Sequence, residues 1–517
     1  MLCIQGSHQR FSNGRTTASL PTVNQTINLF SDTVVNINVD IIAKGLDVPW
    51  EIIWGPENWV WFTEQKGLIR KVNPVTGQIK TLLRIPDVHE QRAVGLLGLA
   101  FHPDFKRSPY VFTDYSYLDG VSLFLKIVRY EYIKDSLINP FILVDSIPAT
   151  ETHNGSRLVF DAAGRLLLTT GDIDEPRLSQ NLRSPNGKVL RLNIDGTIPW
   201  DNPNPGSPIW SWGHRNSQGL VMASNGILYS SEHGDVSDDE VNIIRKGGNY
   251  GWPAVQGFCD DASEQAFCTD SGVIPPMKIW TPTIAPSGLD YYGSSVIPQW
   301  KNSLLMCSLK DASMRVLKLN QNGTSIISEE VYFPKVFGRL RDICVSPEGD
   351  VFISTSNRDW NKSAGSGFPT PDDDRIIKIS AGKNSLHSAQ IIRAQSGTKP
   401  LPKQNREPLF AGKVLYSQYC ESCHKNDGQG IAGIFPPLKK SARVTGDKKE
   451  LINVLLNGLS GSVINGKRYT SPMSAFYFLS DADIAGILTY TRNSFGNKAG
   501  PVSSLEIGKA RKKSVQK

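Results

Sequence analysis

From about Asp32 to Gln395 one pattern recurs: a turn carrying Gly, Asn or Pro, an apolar strand, a polar break, and a second strand. Pro56 to Thr63 with Gly67 to Val72 is one copy, and Ala163 to Thr170 with Gly187 to Leu192 is another. Further copies run from Asn225 to Ser230 with Glu240 to Ile244, from Ser303 to Ser308 with Met314 to Leu319, and from Glu348 to Thr355 with Arg375 to Ile379. The copies lie of the order of 45 to 75 residues apart, which suits four-stranded blades that each bury their faces against neighbours. About 360 residues at that spacing predict an all-β, six-bladed β-propeller over 32–395. The 45 Gly and 32 Pro of the 517-residue chain supply the many turns such a fold needs.

The texture changes after Gln395. Residues 396–408 are rich in Pro, Lys, Gln and Asn, have no apolar period, and read as a linker. Beyond them, Leu409, Val414, Leu415 and Tyr419 mark a helix face leading into Cys420. Ser480 with Asp483 resembles a capping box opening a helix through Ile484, Ile487 and Leu488. A small all-α module over 409–497 therefore follows the propeller, with a basic, solvated tail over 498–517. Residues 1–31 form an N-terminal extension without the continuous apolar stretch of a secretory signal. No apolar run approaches the roughly 20 residues of a membrane span. The net charge of +7 is spread among mixed signs rather than gathered in a basic stripe, which argues against nucleic acid.

Cys420-Glu421-Ser422-Cys423-His424 is C-x-x-C-H, the attachment pattern of c-type haem. At a helix start, the thiols of Cys420 and Cys423 can form thioethers with the porphyrin vinyls while His424 turns its imidazole to the iron. Met473, in a downstream loop, is the candidate second axial ligand, and His/Met ligation raises the reduction potential so that the iron accepts electrons. A zinc site would need two further close ligands, and no second C-x-x-C or nearby His is present. Over its whole length this segment resembles a class I cytochrome c, and Pro436-Pro437 is similar to the prolines along the haem edge of that family.

Within the propeller the informative segments are scattered, because blade loops converge on one face. They are Gly95 to Phe105, His153 to Arg157, Gly171-Asp172, Trp212 to Gly219, Asp238 to Asn242, Lys246 to Pro253, Ile284 to Gly288, Ser308 to Lys310 and Arg339 to Asp342. In this order they resemble the soluble PQQ-dependent sugar dehydrogenases, the glucose and sorbosone dehydrogenase family. The resemblance implies a tricarboxylate quinone held by Lys310, Arg339 and Arg341, with Arg215, Asn216 and Thr283 hydrogen-bonding it. Two arginines at i and i+2 of a strand share a face, and a planar guanidinium fork grips a carboxylate in bidentate fashion. It also implies calcium: one ion on the Gly234 and Asp235 carbonyls beside the quinone, and a structural ion on Glu240 and the Tyr250 carbonyl, with Asp239 nearby.

His153 matches the family's general base. An imidazole can take a hydroxyl proton while hydride leaves the same carbon. Asp172 matches the carboxylate that orients it, and Arg215 faces the reacting carbonyl. The expected activity is oxidation of a sugar or related polyol, with electrons passing from PQQ to haem c and then to a cytochrome, copper protein or terminal oxidase. That chemistry belongs to the periplasm or outside, in tension with the unreadable leader.

Departures fall on the substrate side. Ala93 replaces a polar side chain that family members direct at the sugar, Arg177 stands where the glucose enzyme has an amide, and Lys278 and Thr281 stand where it has aromatic walls. Cys259 and Cys268 lie in an insertion and are expected to close a disulfide, while Cys307 and Cys344 either pair or are merely buried. A calcium-dependent propeller hydrolase of lactonase type, and a non-catalytic binding propeller carrying an electron-transfer cytochrome, are the rival readings.

Overall fold

The computed structural model describes residues 35–359 apart from 261, residues 367–382, and most of 412–514. The expected N-terminal extension, the linker and Cys423 lie outside the described residues. The chain divides into two compact units, Met1–Gly397 and Thr398–Lys517.

The first unit is a six-bladed β-propeller of six four-stranded antiparallel sheets. The innermost strands, in blade order, are Pro49–Gly55, Leu96–Phe101, Leu158–Phe160, Ser217–Met222, Pro286–Tyr292 and Leu340–Val345. The ring closes because the outermost strand of blade 6 comes from the other end of the chain: Ile37–Ala43 pairs with Ile376–Ala381, Ile37 opposite Ala381. Burial follows from this arrangement. Six clusters of buried apolar side chains each draw on two adjoining blades, for example Trp61 and Ile69 of blade 1 with Leu99 and Val111 of blade 2. A blade sheet thus buries both faces, as the near-continuous apolar strands require.

In five blades the innermost pair slips register near its first residues: Pro49/Ile52, Leu96/Leu99, Ser217/Gly219, Pro286/Leu289 and Leu340/Asp342. Such bulges re-aim side chains. Glu51, Gln218 and Arg341 sit in these slips, and their contacts cross the axle of the ring. Arg157 of blade 3 donates to Glu51 of blade 1 (2.7 Å), lies 3.0 Å from Asp342 of blade 6, and donates to the Gln218 carbonyl of blade 4 (2.6 Å). Arg341 of blade 6 reaches the Gln218 side chain at 3.2 Å. The axle is therefore closed by charge-paired side chains rather than left as a pore.

Cys307 and Cys344 are free and buried. Cys307 belongs to the cluster between blades 5 and 6, whereas Cys344 faces the cluster between blades 6 and 1. Two thiols on opposite sides of one blade cannot bond, and burial pushes both well above the usual thiol range. Cys259 and Cys268 do form a disulfide, at the edge of helix α1 (Ala262–Ser271) in the long insertion of blade 4.

The second unit carries α2 (Ala442–Thr445), α3 (Lys448–Asn457), α4 (Asp481–Arg492) and α5 (Ser504–Ser514). Asp447 caps α3 by accepting from Lys449 N, and buried Leu451, Ile452 and Leu455 recur at helical spacing to meet Ile484, Ile487 and Leu488 of α4. The segment expected to be a solvated tail is not one. Val502, Ile507 and Ala510 pack on the same core, and Arg511 pairs with Asp481 at 2.9 Å. The basic residues there conceal an apolar face three residues wide in period.

Candidate active site and haem pocket

The connections entering each innermost strand and those joining second to third strands emerge on the same face of the propeller. His153, Asp172, Arg215, Gly234, Thr283, Lys310 and Arg339 all come from such connections, so the topology brings together residues up to 186 positions apart (Arg339 minus His153).

The His153 imidazole is the best-defined group. Its Nδ1 lies 2.9 Å from Asp172 Oδ1 and 3.0 Å from Asp174 Oδ1. Asp172 is 1% exposed and fixed on both oxygens: Oδ2 accepts from Trp252 Nε1 at 2.9 Å, and Oδ1 also accepts from Asp174 N at 3.1 Å. With Nδ1 committed to carboxylates, the ring carries its N–H there and leaves Nε2 as the basic atom. Gly171 makes the approach possible, because a Cβ there would fall 1.8 Å from the His153 carbonyl. His153 itself has φ of 51°, a left-handed conformation that a non-glycine residue adopts at a cost and that clusters at functional sites.

The cations follow. Arg339 and Arg341 both donate to Asp359 Oδ2. Lys310 Nζ donates to Thr283 Oγ1 at 2.6 Å, joining two residues that the sequence placed together. Arg215 donates to the Gly234 carbonyl at 2.8 Å and to Asp235 Oδ1 at 3.0 Å, and lies over the Trp252 ring. Asn216 is spent on the scaffold, its Oδ1 accepting from Gly155 N and Gln218 Nε2.

Among the described residues, the buried Arg215 Nε and His233 Nε2 find no hydrogen-bond partner. His233 is neutral, since burial and then the charges of Arg215, His153 and Arg341 push it down to about 3. An orphaned donor and an orphaned acceptor among four cationic side chains fit a planar, polyanionic, hydrogen-bonding ligand such as a tricarboxylate quinone.

Of the two carbonyls expected to hold calcium, that of Gly234 accepts from Arg215, which bonds Asp235 through its side chain rather than its carbonyl. Gly234 and Arg215 also line a cavity of about 20 Å³ with Glu232, Asp238, Glu240 and Tyr250, whose carboxylates suit a dication. Burial, then repulsion from Glu232, raises the Glu240 carboxyl to about 8. Asp239 is otherwise engaged, bonding the backbone N–H groups of Gly234, Ile284 and Ala285.

The residues that depart from the family on the substrate side have these partners. Lys278 pairs with Glu329 at 3.1 Å, and Thr281 Oγ1 accepts from the N–H of Asp238, which lines the cavity beside Arg215. Arg177 is 84% exposed beside Glu175, and Ala93 N bonds the Glu151 carbonyl. Of the functional groups, the sequence reading missed Asp174, His233, Glu232 and Asp359. Asp174 was the most accessible of these, being an acid two residues beyond Asp172.

In the second unit, an apolar pocket lies between His424 and Met473, walled by Cys420, Pro436, Leu438, Val444, Leu455 and Ile487 among others. His424 Nδ1 donates to the Pro436 carbonyl at 2.9 Å, which fixes the ring and leaves Nε2 for a metal. Burial lowers His424 from its ordinary value, keeping it in the neutral, ligating form. Met473 is pinned by paired backbone bonds with Leu459 at 2.9 and 2.7 Å. Arg443, also in the pocket wall, has a buried Nε without a partner. Residues and shape fit a haem.

A six-bladed propeller with a carboxylate-held imidazole among cations, joined to a His/Met pocket, defines a class: a redox propeller with an electron-transfer module. The glucose/sorbosone dehydrogenase family model matches residues 46–361 and the cytochrome c model matches 410–494, and the chain belongs to the glucose/sorbosone dehydrogenase family, with a C-terminal cytochrome c domain. Quinoprotein glucose dehydrogenase B of Acinetobacter calcoaceticus is 32% identical over 422 residues, covering 65% of this chain and 88% of that protein. The PQQ-bound aldose sugar dehydrogenase of Streptomyces coelicolor superposes with a TM-score of 0.57 at 29% identity, covering 67% of this chain and 98% of that one. Cytochrome c-552 of Thermus thermophilus is 35% identical over 114 residues, covering 20% of this chain and 86% of that protein.

Proposed function

We propose that the chain is a quinohaemoprotein that oxidises an aldose or related polyol with PQQ and passes the electrons to a covalently bound haem c. The observation that carries this reading is the His153–Asp172 pair with Nε2 left basic, set among Arg215, Arg339 and Arg341. The names of the similar proteins, a quinoprotein and a PQQ-bound dehydrogenase, support it.

When bound, PQQ supplies a two-electron acceptor for hydride. Lys310, Arg339 and Arg341 would hold its carboxylates, and Arg215 would steady negative charge developing on the acceptor oxygen. His153 Nε2 takes the substrate hydroxyl proton, and Asp172 keeps the ring in the tautomer that can do so. Cys420, Cys423, His424 and Met473 would hold the haem, whose His/Met ligation favours electron uptake. Calcium would bind at Glu240 and Tyr250 with Glu232 and Asp238. The outward acceptor is a cytochrome, copper protein or oxidase, and the Cys259–Cys268 bond agrees with an oxidising compartment such as the periplasm.

The acidic cavity favours one rival, a calcium-dependent hydrolase, but a lactone does not need the cationic set of Lys310, Arg339 and Arg341. Adding PQQ and calcium to haem-loaded protein and following the haem spectrum with a panel of sugars decides between them. Haem reduction that requires both quinone and sugar supports the dehydrogenase reading; lactone hydrolysis without quinone would establish the rival.

A further inference from the structure

We propose that Asp174 is a second carboxylate of the His153 base, a positioning residue that clamps the imidazole together with Asp172 and stabilises it once it holds the substrate proton. The inference rests on the reading of His153 as general base. Its geometry does not: one ring nitrogen meets two carboxylates, at 2.9 Å and 3.0 Å, from the same short loop.

The two acids are not equivalent. Asp172 is buried and saturated, with Trp252 on one oxygen and the Asp174 backbone on the other. Asp174 is 56% exposed, and its second oxygen takes the hydroxyl of Thr152, the neighbour of His153. The Ile173 N–H returns to the His153 carbonyl at 3.2 Å, so segments 152–153 and 172–174 are stitched together on backbone and side chain. His153, Ile173 and Asp174 all have positive φ, of 51°, 53° and 60°. Left-handed backbone at three non-glycine residues persists where surrounding contacts hold it, and in this conformation both carboxylates reach Nδ1.

Nδ1 carries one proton in either state, but only the imidazolium carries a positive charge, and both carboxylates attract it. The pair therefore favours the state that follows proton abstraction. With PQQ bound, the substrate carbon would give hydride, two electrons with one proton, to the quinone while the hydroxyl gives its proton to Nε2. The ring becomes cationic between two carboxylates. His233, on the neighbouring blade, feels the charges of His153, Arg215 and Arg341 together, so the imidazolium forms among cations that the two carboxylates offset.

The test uses full-length, haem-loaded protein with D174N, D174E, D172N and H153Q. First, without quinone, the ring nitrogens of His153 are titrated by NMR; in D174N the midpoint is expected to fall by about half to one pH unit, and D174E to restore it. Second, with quinone and calcium, D174N is expected to move the acidic limb of sugar-driven haem reduction the same way. Turnover should fall about three- to tenfold at near-constant KM, short of the ~10²-fold or greater loss from removing a general base. An unchanged titration in D174N overturns the proposal. A shifted titration with full activity in H153Q would instead overturn the base assignment and leave the clamp standing.

Discussion

Arg339 and Arg341, one residue apart in sequence on either side of Leu340, donate to a single oxygen, Oδ2 of Asp359, at 2.8 and 3.1 Å. Two buried guanidiniums on one carboxylate leave an excess positive charge at the mouth of the axle, and burial draws Arg341 down to about 10. Asp359 also accepts from Ser356, so its loop is anchored in the same knot. An acidic ligand would complete what one carboxylate only half neutralises.

The first prediction follows from that charge count. R341Q and R339Q should each weaken PQQ binding at least tenfold, because a hydrogen bond to a charged group is worth about 1.5–3 kcal/mol. D359N should lower the melting temperature of the free protein, and PQQ should restore part of the loss by taking over the arginines. Calorimetric titration and thermal melts check both, and PQQ affinity unchanged in R341Q would refute the assignment.

The second concerns the axle. Arg157 lies over Trp50 and joins Glu51, Asp342 and the Gln218 carbonyl, with all three side chains deeply buried. Burial holds Glu51 and Asp342 above the usual carboxylate range even with the arginine present. R157M removes the counter-charge of both acids and should cost about 3–5 kcal/mol, read as a lower denaturation midpoint. A loss below about 1 kcal/mol would place the network at the surface level of ion pairs.

The third is a pH dependence. Lys188 is buried beneath the loop that carries Arg177, its Nζ donating to the carbonyls of Leu178, Ser179 and Asn186 at 2.8, 3.0 and 2.6 Å. Burial lowers it to about 7. Above that pH the folded protein has released a proton that the unfolded chain keeps up to the ordinary lysine value near ~10.4. Stability should therefore rise with pH between about 7 and 10 from this group, and be fully without that contribution below 7. Melting temperatures of wild type and K188M across that range measure it: the wild-type curve should climb relative to the variant.

Much of this molecule could be read from the chain because its signals are local. A strand, a Gly or Asn turn and a second strand announce a blade whatever lies beyond it, and the C-x-x-C-H run places His424 without any tertiary knowledge. What stayed hidden depends on distance. Asp359 follows Arg341 by 18 residues and becomes its partner only because the blade 6 loop folds back. Cys307 and Cys344 look like neighbours on adjoining blades, yet they face opposite sides of blade 6. Lys278 stands where the family's glucose enzyme has an aromatic wall, and its pairing with Glu329, 51 residues on, could not be read from that position. Val502, Ile507 and Ala510 are diluted by five basic residues in 509–517, so a docked helix resembled a free tail.

The fourth prediction concerns the haem. Met473 is tied by its own backbone to Leu459 and packs against the core that holds Leu455 and Ile487, so its side chain lines the same pocket as His424 from a fixed position. A thioether on the iron raises the potential relative to harder ligands, because it favours the ferrous state. M473H should accordingly keep a low-spin haem but lower its potential, and M473A should open the sixth position to small ligands. If electrons reach the haem from the propeller, M473H should slow sugar-driven haem reduction while leaving sugar-driven bleaching of a soluble dye that takes electrons directly from the quinone unchanged. A redox titration of the haem and the two assays side by side check this. A potential that M473H leaves where it was would mean that another group occupies the sixth position.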